Sequence, residues 1–202
     1  MNVAVLLFNN FETLDVFGPV EILGRLPDFF DILFYSPAGG TVYSTQKVGI
    51  NTLALETIFA LDKIDIFLIP GGMGTRTEVE NIGLIEIIKK IAQQATYTLT
   101  VCTGSALLAM TGLLDGKTAT TNKRAFEWVA SLRSGIDWRH KARWCVDKPF
   151  YTSSGVSAGM DMALGFICDT LGKETARRIA DDIEYIWNDN ADDDRFAPKD
   201  SV

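Results

Sequence analysis

Three short, almost uninterrupted apolar segments constrain the fold of this chain more than any other feature. They occupy residues 2–8 (NVAVLLF), 64–69 (IDIFLI) and 97–101 (YTLTV). Continuous apolar runs of this length are typical of strands that are buried on both faces of a parallel sheet. Residues 16–26 and 81–94, which lie between them, place apolar side chains at helical spacing. The alternation predicts βαβ units, and therefore a doubly wound α/β fold with helices flanking a mostly parallel sheet.

Weaker patterns complete the predicted order of elements. Gly39 and Gly40 break the chain before a hairpin, and Pro149 marks a turn between two extended segments. The further predicted elements are a strand at 29–35, a hairpin or an extended segment at 41–50, a helix at 125–132, a pair of extended segments at 138–153, and helices at 157–171 and 174–185.

The length of the chain predicts one domain. Its 202 residues are close to the roughly 150 residues of an average domain, and neither a repeat nor a linker divides them. We expect the α/β domain to occupy residues 1–187. Residues 188–202, which include the run from Asp192 to Asp194, are acidic and poor in apolar side chains. We therefore expect a solvated, flexible tail.

Charge and cysteine content narrow the classes of function. A formal net charge of -7 does not attract phosphate backbones or anionic lipid, so neither nucleic acid nor membrane is an expected partner. No apolar run approaches the ~20 residues of a membrane helix, and no cationic leader precedes the first strand. Cys102, Cys145 and Cys168 are odd in number and far apart, which favours reduced thiols and a cytoplasmic location. His140 is the only histidine, so no metal site is expected.

The segment after the third apolar run holds the best candidate for a reactive residue. Residues 97–101 lead directly into 102–105 (CTGS), and strong helix formers follow. A cysteine at such a junction forms a nucleophile elbow at the carboxyl edge of the sheet, where open α/β folds place their sites. The N-terminus of the next helix should lower the pKa of the Cys102 thiol. The structural alternative is a small buried cysteine that only ends the strand.

Two further segments are expected near this turn. Residues 69–74 (IPGGMG) follow another strand, and a glycine turn there can bring backbone N–H groups close to an anion. A tight loop without that function fits the same residues. Glu12 and Asp15 follow the first strand, where one carboxylate could cap a helix and the other could face the site.

Five sequence blocks, taken in order, resemble the DJ-1/PfpI superfamily. They are residues 15–21 (DVFGPVE), 69–72 (IPGG), 102–105 (CTGS), 118–121 (TATT) and 154–161 (SGVSAGMD), and the resemblance extends over residues 1–187. Within the superfamily, the block around Asp15 together with Cys-Thr-Gly is most similar to the isonitrile (isocyanide) hydratase branch. The resemblance implies a flavodoxin-like fold, usually in homodimers, with Cys102 as the nucleophile on a strained elbow.

The resemblance also implies roles for individual residues. Asp15 would be the acidic partner of the thiol, and Thr103 the neighbour whose hydroxyl and N–H serve the site. Gly72, with Gly71 beside it, would donate backbone N–H groups to an anion or substrate. Glu21 lies six residues after Asp15, on roughly the opposite side of a helix, and receives no such role. No metal or organic cofactor is implied.

Two departures from the relatives bear on the reaction. The protease-like branch has histidine directly after its cysteine; Thr103 occupies that place here, so the usual Cys–His dyad is absent. Hydratase-like sequences tend to have histidine where this chain has Asn122, which changes the predicted pocket. His140 belongs to none of the blocks and is predicted to be an exposed strand residue. Cys145, Cys168 and Asp161 are predicted to be structural.

Three functions are compatible with these residues, each with a small-molecule ligand. The first is hydration of an isonitrile to an N-substituted formamide, in which Cys102 attacks the terminal carbon and Asp15 relays the proton. The second is another cysteine chemistry, either amide or peptide hydrolysis or a glyoxalase-type hydration. The third is a non-enzymatic sensor in which Cys102 is oxidised or binds a ligand reversibly. Some regulators fuse this fold to DNA-binding helix-turn-helix modules, and the segment after Tyr185 is expected to be too short for one.

Overall fold

Ten strands occur in residues 1–198, the part of the chain that the structure, a computed structural model, describes. In chain order they are β1 (Asn2–Leu6), β2 (Asp31–Ser36), β3 (Gly40–Tyr43), β4 (Gly49–Ala54), β5 (Ile66–Ile69), β6 (Tyr97–Thr100), β7 (Thr118–Ala119), β8 (Asp137–Trp138), β9 (Trp144–Asp147) and β10 (Phe150–Ser153). Eight of them form one sheet in the order β3-β4-β2-β1-β5-β6-β10-β9, and β7 pairs with β8 separately.

The main sheet is parallel except at its two edges. The central neighbours β2, β1, β5, β6 and β10 all pair in parallel, whereas β3–β4 and β9–β10 are antiparallel. Every side chain of β5 is buried, as are most of those in β1 and β6. This explains why the central strands are apolar without alternation: helices cover both of their faces. The predicted mostly parallel α/β fold and the hairpin in residues 41–50 are confirmed.

Helices connect the strands and flank the sheet. Within the described residues the α-helices are α1 (Thr13–Gly24), α2 (Thr75–Glu78), α3 (Ile82–Gln94), α4 (Gly104–Met110), α5 (Phe126–Leu132), α6 (Ala158–Leu171) and α7 (Lys173–Asp182). Short 3-10 helices also occur: Leu55–Ala60 lies between β4 and β5, and Lys123–Ala125 lies directly before α5. None of the helices in residues 1–198 has both the length and the apolar character that crossing a membrane requires.

The first helix begins earlier than its apolar pattern predicts. Apolar spacing predicted a start at residue 16, and α1 begins at Thr13. Asp15 therefore lies within the first turn of the helix and not before it. No side chain caps this helix N-terminus, so neither Glu12 nor Asp15 serves as the predicted cap. As a result, the Asp15 carboxyl is available to the carboxyl edge of the sheet.

Part of the C-terminal segment packs on the domain, in contrast to the predicted solvated tail. Most of residues 188–198 are exposed, but Asp194 is only 4% exposed and lies 3.4 Å from the guanidinium of Arg143. The carbonyl oxygen of Ala191 accepts a hydrogen bond from the Arg143 N–H at 2.7 Å. The prediction fails at Asp194 because a buried cation supplies its counter-charge. The rest of the predicted tail, residues 199–202, lies outside the described residues.

Candidate active site

Cys102 occupies a strained turn between β6 and α4. Its φ is +56°, in the left-handed region that residues other than glycine rarely adopt. Its backbone N–H donates to the carbonyl oxygen of Ser154 at 3.2 Å. Its carbonyl oxygen accepts from the hydroxyls of Ser105 and Thr121 at 3.1 and 3.0 Å. Hydrogen bonds to three segments of the chain thus hold the turn, which has the geometry of the predicted nucleophile elbow.

Two glycines allow the loops after β5 and β6 to touch. A Cβ atom on Gly104 would lie 2.2 Å from the carbonyl oxygen of Ile69, and one on Gly71 would lie 2.5 Å from the backbone nitrogen of Thr103. Both distances are far inside van der Waals contact, so no larger residue fits without moving the backbone. The close approach places the glycine loop directly beside the Cys102 turn.

Asp15 brings a buried carboxyl to the Cys102 thiol. The residue is fully buried, and its Oδ2 accepts from the Gly71 N–H at 3.0 Å. Its Oδ1 is buried with no donor at ordinary hydrogen-bond geometry among the described residues. The carboxyl and the thiol nevertheless lie close enough for each to shift the pKa of the other. Burial raises the pKa of Asp15 to about 7, against the lowering effect of the Gly71 N–H.

The thiol itself does not behave as the sequence predicts. Burial, and next the charge of Asp15, raise the pKa of Cys102. The Thr103 N–H and the Asn122 amide lower it, but these effects are smaller. The predicted depression of the thiol pKa is therefore wrong, because desolvation and a neighbouring carboxylate outweigh the donors at the helix N-terminus. Near neutral pH the two side chains together retain at least one proton.

Asn122 is a site residue that the sequence analysis noted only as a departure from the relatives. Its Nδ2 donates to the sulfur of Cys102 at 3.1 Å. Its Oδ1 accepts from the backbone N–H groups of Arg124 and Ala125 at 2.9 and 3.1 Å. Because those two donors need an oxygen, they fix the amide orientation and direct the nitrogen at the thiol. An asparagine just before a predicted helix, at a position where relatives have histidine, was the available signal.

The structure corrects the predicted role of the glycine loop. The Gly71 N–H already donates to Asp15, and the Gly72 N–H donates to the Thr103 hydroxyl at 3.1 Å. The hydroxyl of Thr75 also lies 3.0 Å from that of Thr103. Neither glycine N–H is therefore available to a bound anion in this structure. Instead, Gly71 and Gly72 position the side chains of Asp15 and Thr103.

A cavity of about 640 Å³ opens above the thiol. Cys102, Thr103 and Asn122 line it together, and the side chains of Met73 and Phe196 contribute apolar surface. Phe196 comes from the C-terminal segment that Asp194 anchors. The volume is within the range of small-molecule sites. The sulfur and the amide thus line a space that is large enough for an organic substrate, whereas the fully buried Asp15 is not among the lining residues.

Glu21 and His140 lie outside the Cys102 site. Glu21 is exposed and forms a 2.7 Å ion pair with Arg25 on the next turn of α1. The exposed His140 packs its ring on Phe126, with 3.5 Å between centroids, and lies 3.6 Å from Glu127. It lies in a bend instead of the predicted strand, and it does not line the Cys102 cavity. The site therefore has a carboxyl partner for its thiol and no imidazole.

The remaining residues have the structural surroundings that the sequence predicts. Cys145 is buried and Cys168 partly buried, both as free thiols, and neither lines the cavity of Cys102. Burial raises the pKa of Cys145 to about 12. Asp161 is buried and pairs with Arg143 at 2.6 Å. Residues 1–198 contain no group of three or more His, Cys, Asp or Glu side chains placed to hold a metal ion.

Comparisons with known proteins agree with this fold. The profile of the DJ-1/PfpI family matches residues 1–168. Isonitrile hydratase from Pseudomonas putida is 31% identical over 185 residues, which are 92% of this chain and 78% of that protein. The HTH-type transcriptional regulator GbdR from Pseudomonas aeruginosa is 28% identical over 137 residues, which are 67% of this chain and 36% of the regulator. A THiJ/PfpI family protein from Pseudomonas syringae has a similar structure, with a TM-score of 0.82, 24% identity, and coverage of 99% of this chain and 78% of that one. The chain belongs to the DJ-1/PfpI family.

Proposed function

We propose that this protein is a cysteine-dependent hydratase that converts an isonitrile to an N-substituted formamide. The observation that carries the proposal is the electrostatic coupling between a buried, protonatable carboxyl, Asp15, and the thiol of Cys102, which lines a cavity of about 640 Å³. An isonitrile carbon must accept a nucleophile and a proton, and this pair supplies both. The similarity to isonitrile hydratase from Pseudomonas putida supports the same chemistry.

In the first step, the sulfur of Cys102 attacks the terminal carbon of the isonitrile. The thiol proton passes to Asp15 as the C–S bond forms, and from Asp15 to the same carbon, which gives the thioimidate R–N=CH–S–Cys. Since the pKa of Asp15 is raised to about 7, the carboxyl can accept and release a proton near neutral pH. The pair needs no additional acid, because the proton that the thiol releases is the one that the carbon gains.

In the second step, water adds to the thioimidate carbon and the C–S bond breaks. The sulfur regains a proton, and the product R–NH–CHO leaves. The Asn122 amide donates to the sulfur, and both this amide and the Thr103 N–H lower the pKa of the thiol, so both are placed to stabilise charge on the adduct. In this mechanism the Thr103 N–H has its predicted role, and Asn122 takes the place predicted for Gly72.

The test is turnover of cyclohexyl isocyanide and para-nitrophenyl isocyanide, with the formamide quantified by chromatography. Cys102→Ala should reduce formamide production to background. Cys168→Ala is the matched control, because that thiol lies on α6 outside the cavity, and it should keep wild-type activity. Formamide production that persists in Cys102→Ala would refute the proposal.

Other cysteine chemistries on the same site are the main enzymatic alternative. Amide or peptide hydrolysis needs an acid for the amine leaving group, which is usually a histidine. The only histidine, His140, does not line the cavity, so this alternative is less favoured. Lactate formed from methylglyoxal, or cleavage of an amide reporter, would support it if the product disappears in Cys102→Ala.

A thiol-based sensor is the second candidate function, and the similarity to the regulator GbdR favours it. In that case Cys102 would be oxidised to a sulfenic acid or would bind a small molecule reversibly. Exposure to peroxide, followed by mass spectrometry, measures this oxidation. Preferential oxidation of Cys102 in a protein that turns over none of the substrates above would favour the sensor.

We further propose that the protein is a cytoplasmic homodimer. Its three cysteines are free, which is typical of a reducing compartment. Tyr43 and Leu53, on the edge hairpin β3–β4, are 53% and 48% exposed, and exposed apolar side chains of this kind are often covered by a second subunit. Light scattering at micromolar concentration tests the assembly, and a mass near 22.2 kDa would contradict it.

A further inference from the structure

The charge around the Cys102 cavity is opposite to that of the whole chain. The protein carries a formal net charge of -7, yet three cationic side chains line the cavity, those of Arg76, Lys123 and Arg124. Glu12 is the one carboxylate among the cavity-lining residues that the structure describes. A cationic patch on an acidic protein is a local feature that attracts anions to this site in particular.

Arg76 and Arg124 have no acidic partner among residues 1–198. Arg76 places its guanidinium 4.2 Å from the centre of the Trp128 ring, and within residues 1–198 neither Arg76 nor Arg124 forms an ion pair with a carboxylate. Both are exposed. Stacking on the indole orients the Arg76 guanidinium and leaves its N–H groups available. The carboxylate of Glu12 accepts from the side chain of Gln46 at 2.8 Å.

Lys123 differs from the arginines because its ammonium is already held. Its Nζ donates to the carbonyl oxygen of Ala142 at 2.6 Å and lies 2.9 Å from the hydroxyl of Thr120. Burial lowers its pKa to about 8, so it is still mostly protonated at neutral pH. Its charge therefore adds to the potential in the cavity, while the two arginines remain available for direct contact with a ligand.

From these charges we propose that the substrate carries a carboxylate, which Arg76 and Arg124 bind at the entrance while its reactive carbon meets Cys102. The guanidinium fork matches the geometry of a carboxylate. This inference builds on the proposed function: the substrate is then a small isonitrile with a carboxylate on its substituent. The anion preference itself depends only on the cavity and can be measured without any turnover.

The first experiment compares alkylation of Cys102 by iodoacetate and by iodoacetamide. Both reagents form a C–S bond with the thiol and release iodide. They differ in charge, because iodoacetate is an anion and iodoacetamide is neutral. We expect Arg76→Gln and Arg124→Gln each to reduce the rate with iodoacetate by roughly 3- to 5-fold, with little change for iodoacetamide. Mass spectrometry of the Cys102 peptide gives both rates.

Arg25→Gln is the matched control, because Arg25 is an exposed arginine on α1 that pairs with Glu21 outside the cavity. It should leave both alkylation rates unchanged. Because Arg76 and Arg124 are exposed, their variants should keep the wild-type melting temperature. Equal effects on the two reagents, or no effect in either arginine variant, would overturn the proposal.

The second experiment measures turnover of isocyanoacetate and of its methyl ester. The arginine variants should raise KM for isocyanoacetate by roughly 3- to 5-fold, with kcat and the ester kinetics unchanged. Hydration of both compounds without dependence on the arginines would contradict the anion proposal and leave the hydratase intact. An arginine-dependent preference for iodoacetate without any hydration would support the anion proposal and contradict the proposed hydratase activity.

Discussion

Two aspartates are buried to the same extent in this protein, but they differ in the number of hydrogen-bond donors around their carboxyl groups. Asp15 and Asp161 are both 0% exposed. Asp161 accepts from the Arg143 guanidinium at 2.6 Å, from the Tyr185 hydroxyl at 3.0 Å and from the Asn188 N–H at 3.1 Å. Asp15 has one backbone donor and a thiol beside it. Burial alone therefore does not distinguish a structural carboxylate from a chemically available one; the number of donors does.

The difference also determines what each aspartate does for the fold. Asp161 and Asp194 lie on two sides of Arg143, and this buried cluster connects α6 to the C-terminal segment. Such a cluster stabilises the fold only while every charge has its partner. Within residues 1–198 no cation pairs with Asp15, so ionisation of this buried carboxyl raises the free energy of the folded state. The protein therefore loses stability when Asp15 ionises, but it has a group that can hold a proton near neutral pH.

The largest expected effect is on catalysis at Asp15. Asp15→Asn removes the proton relay and should lower kcat/KM for an isonitrile by about 10²- to 10⁴-fold. The rate of Cys102 alkylation by iodoacetamide should not fall, because the substitution removes a negative charge beside the thiol. A parallel fall in turnover and alkylation would indicate a structural role and contradict the acid–base assignment.

The pH dependence of stability should identify Asp15 next. Its pKa is raised from 3.8 to about 7 in the folded protein, so its stabilising contribution is complete below pH 3.8 and disappears as the pH rises through 7. Since one pKa unit corresponds to about 1.4 kcal/mol, the free energy of unfolding of the wild type relative to Asp15→Asn should fall by about 4 kcal/mol over this range. Urea unfolding at several pH values measures the difference, and a constant difference would rule out the raised pKa.

Asp161→Asn should lower stability and leave the reactivity of Cys102 unchanged. Removing the carboxylate leaves Arg143 with only the longer ion pair to Asp194 among residues 1–198, so the free energy of unfolding should fall by about 3 kcal/mol. Residual folded protein should keep its reactivity at Cys102, since Asp161 does not line the cavity. Urea unfolding and iodoacetamide alkylation measure the two quantities. A selective loss of thiol reactivity without loss of stability would contradict the comparison.

The smallest expected effect is at Asn122. Asn122→Asp keeps an oxygen for the N–H groups of Arg124 and Ala125, but it replaces the amide donor to the sulfur with an acceptor. The pKa of Cys102 should rise further, and alkylation at pH 7 should slow by about 10-fold. Asn81→Asp is the matched control, because Asn81 caps α3 in the same way by accepting from Leu84, and it should not change the rate. Equal effects of the two substitutions would exclude a specific role for Asn122.

Features that depend on local sequence were predicted well. The central strands β1, β5 and β6 follow directly from apolar runs, because buried parallel strands have no polar face. The position of Cys102 on a turn follows from the change between strand-like and helix-like residues around it. The assignment of Asp15 as the partner of the thiol came from the family resemblance and stays a prediction; in the structure the two groups shift the pKa of each other.

Features that depend on contacts between distant segments were missed. The Gly72 N–H is taken by a hydroxyl 31 residues away, and Asp194 is buried by an arginine 51 residues away. The direction of the Cys102 pKa depends on how deeply the thiol is buried, which no local pattern reports. Asn122 reaches the sulfur only because the loop after β7 folds over the Cys102 turn. In each case the tertiary packing decides which partner a polar group finds.

The most direct test of the account is the protonation state of Asp15. Infrared difference spectroscopy between the wild type and Asp15→Asn isolates the C=O stretch of this one protonated carboxyl. The account predicts a band that is present at pH 5.5, disappears with a midpoint near pH 7 and is absent from the variant. Absence of the band at pH 5.5 would mean that Asp15 is already ionised there, and it would contradict the raised pKa by which this buried carboxyl accepts and releases a proton near neutral pH.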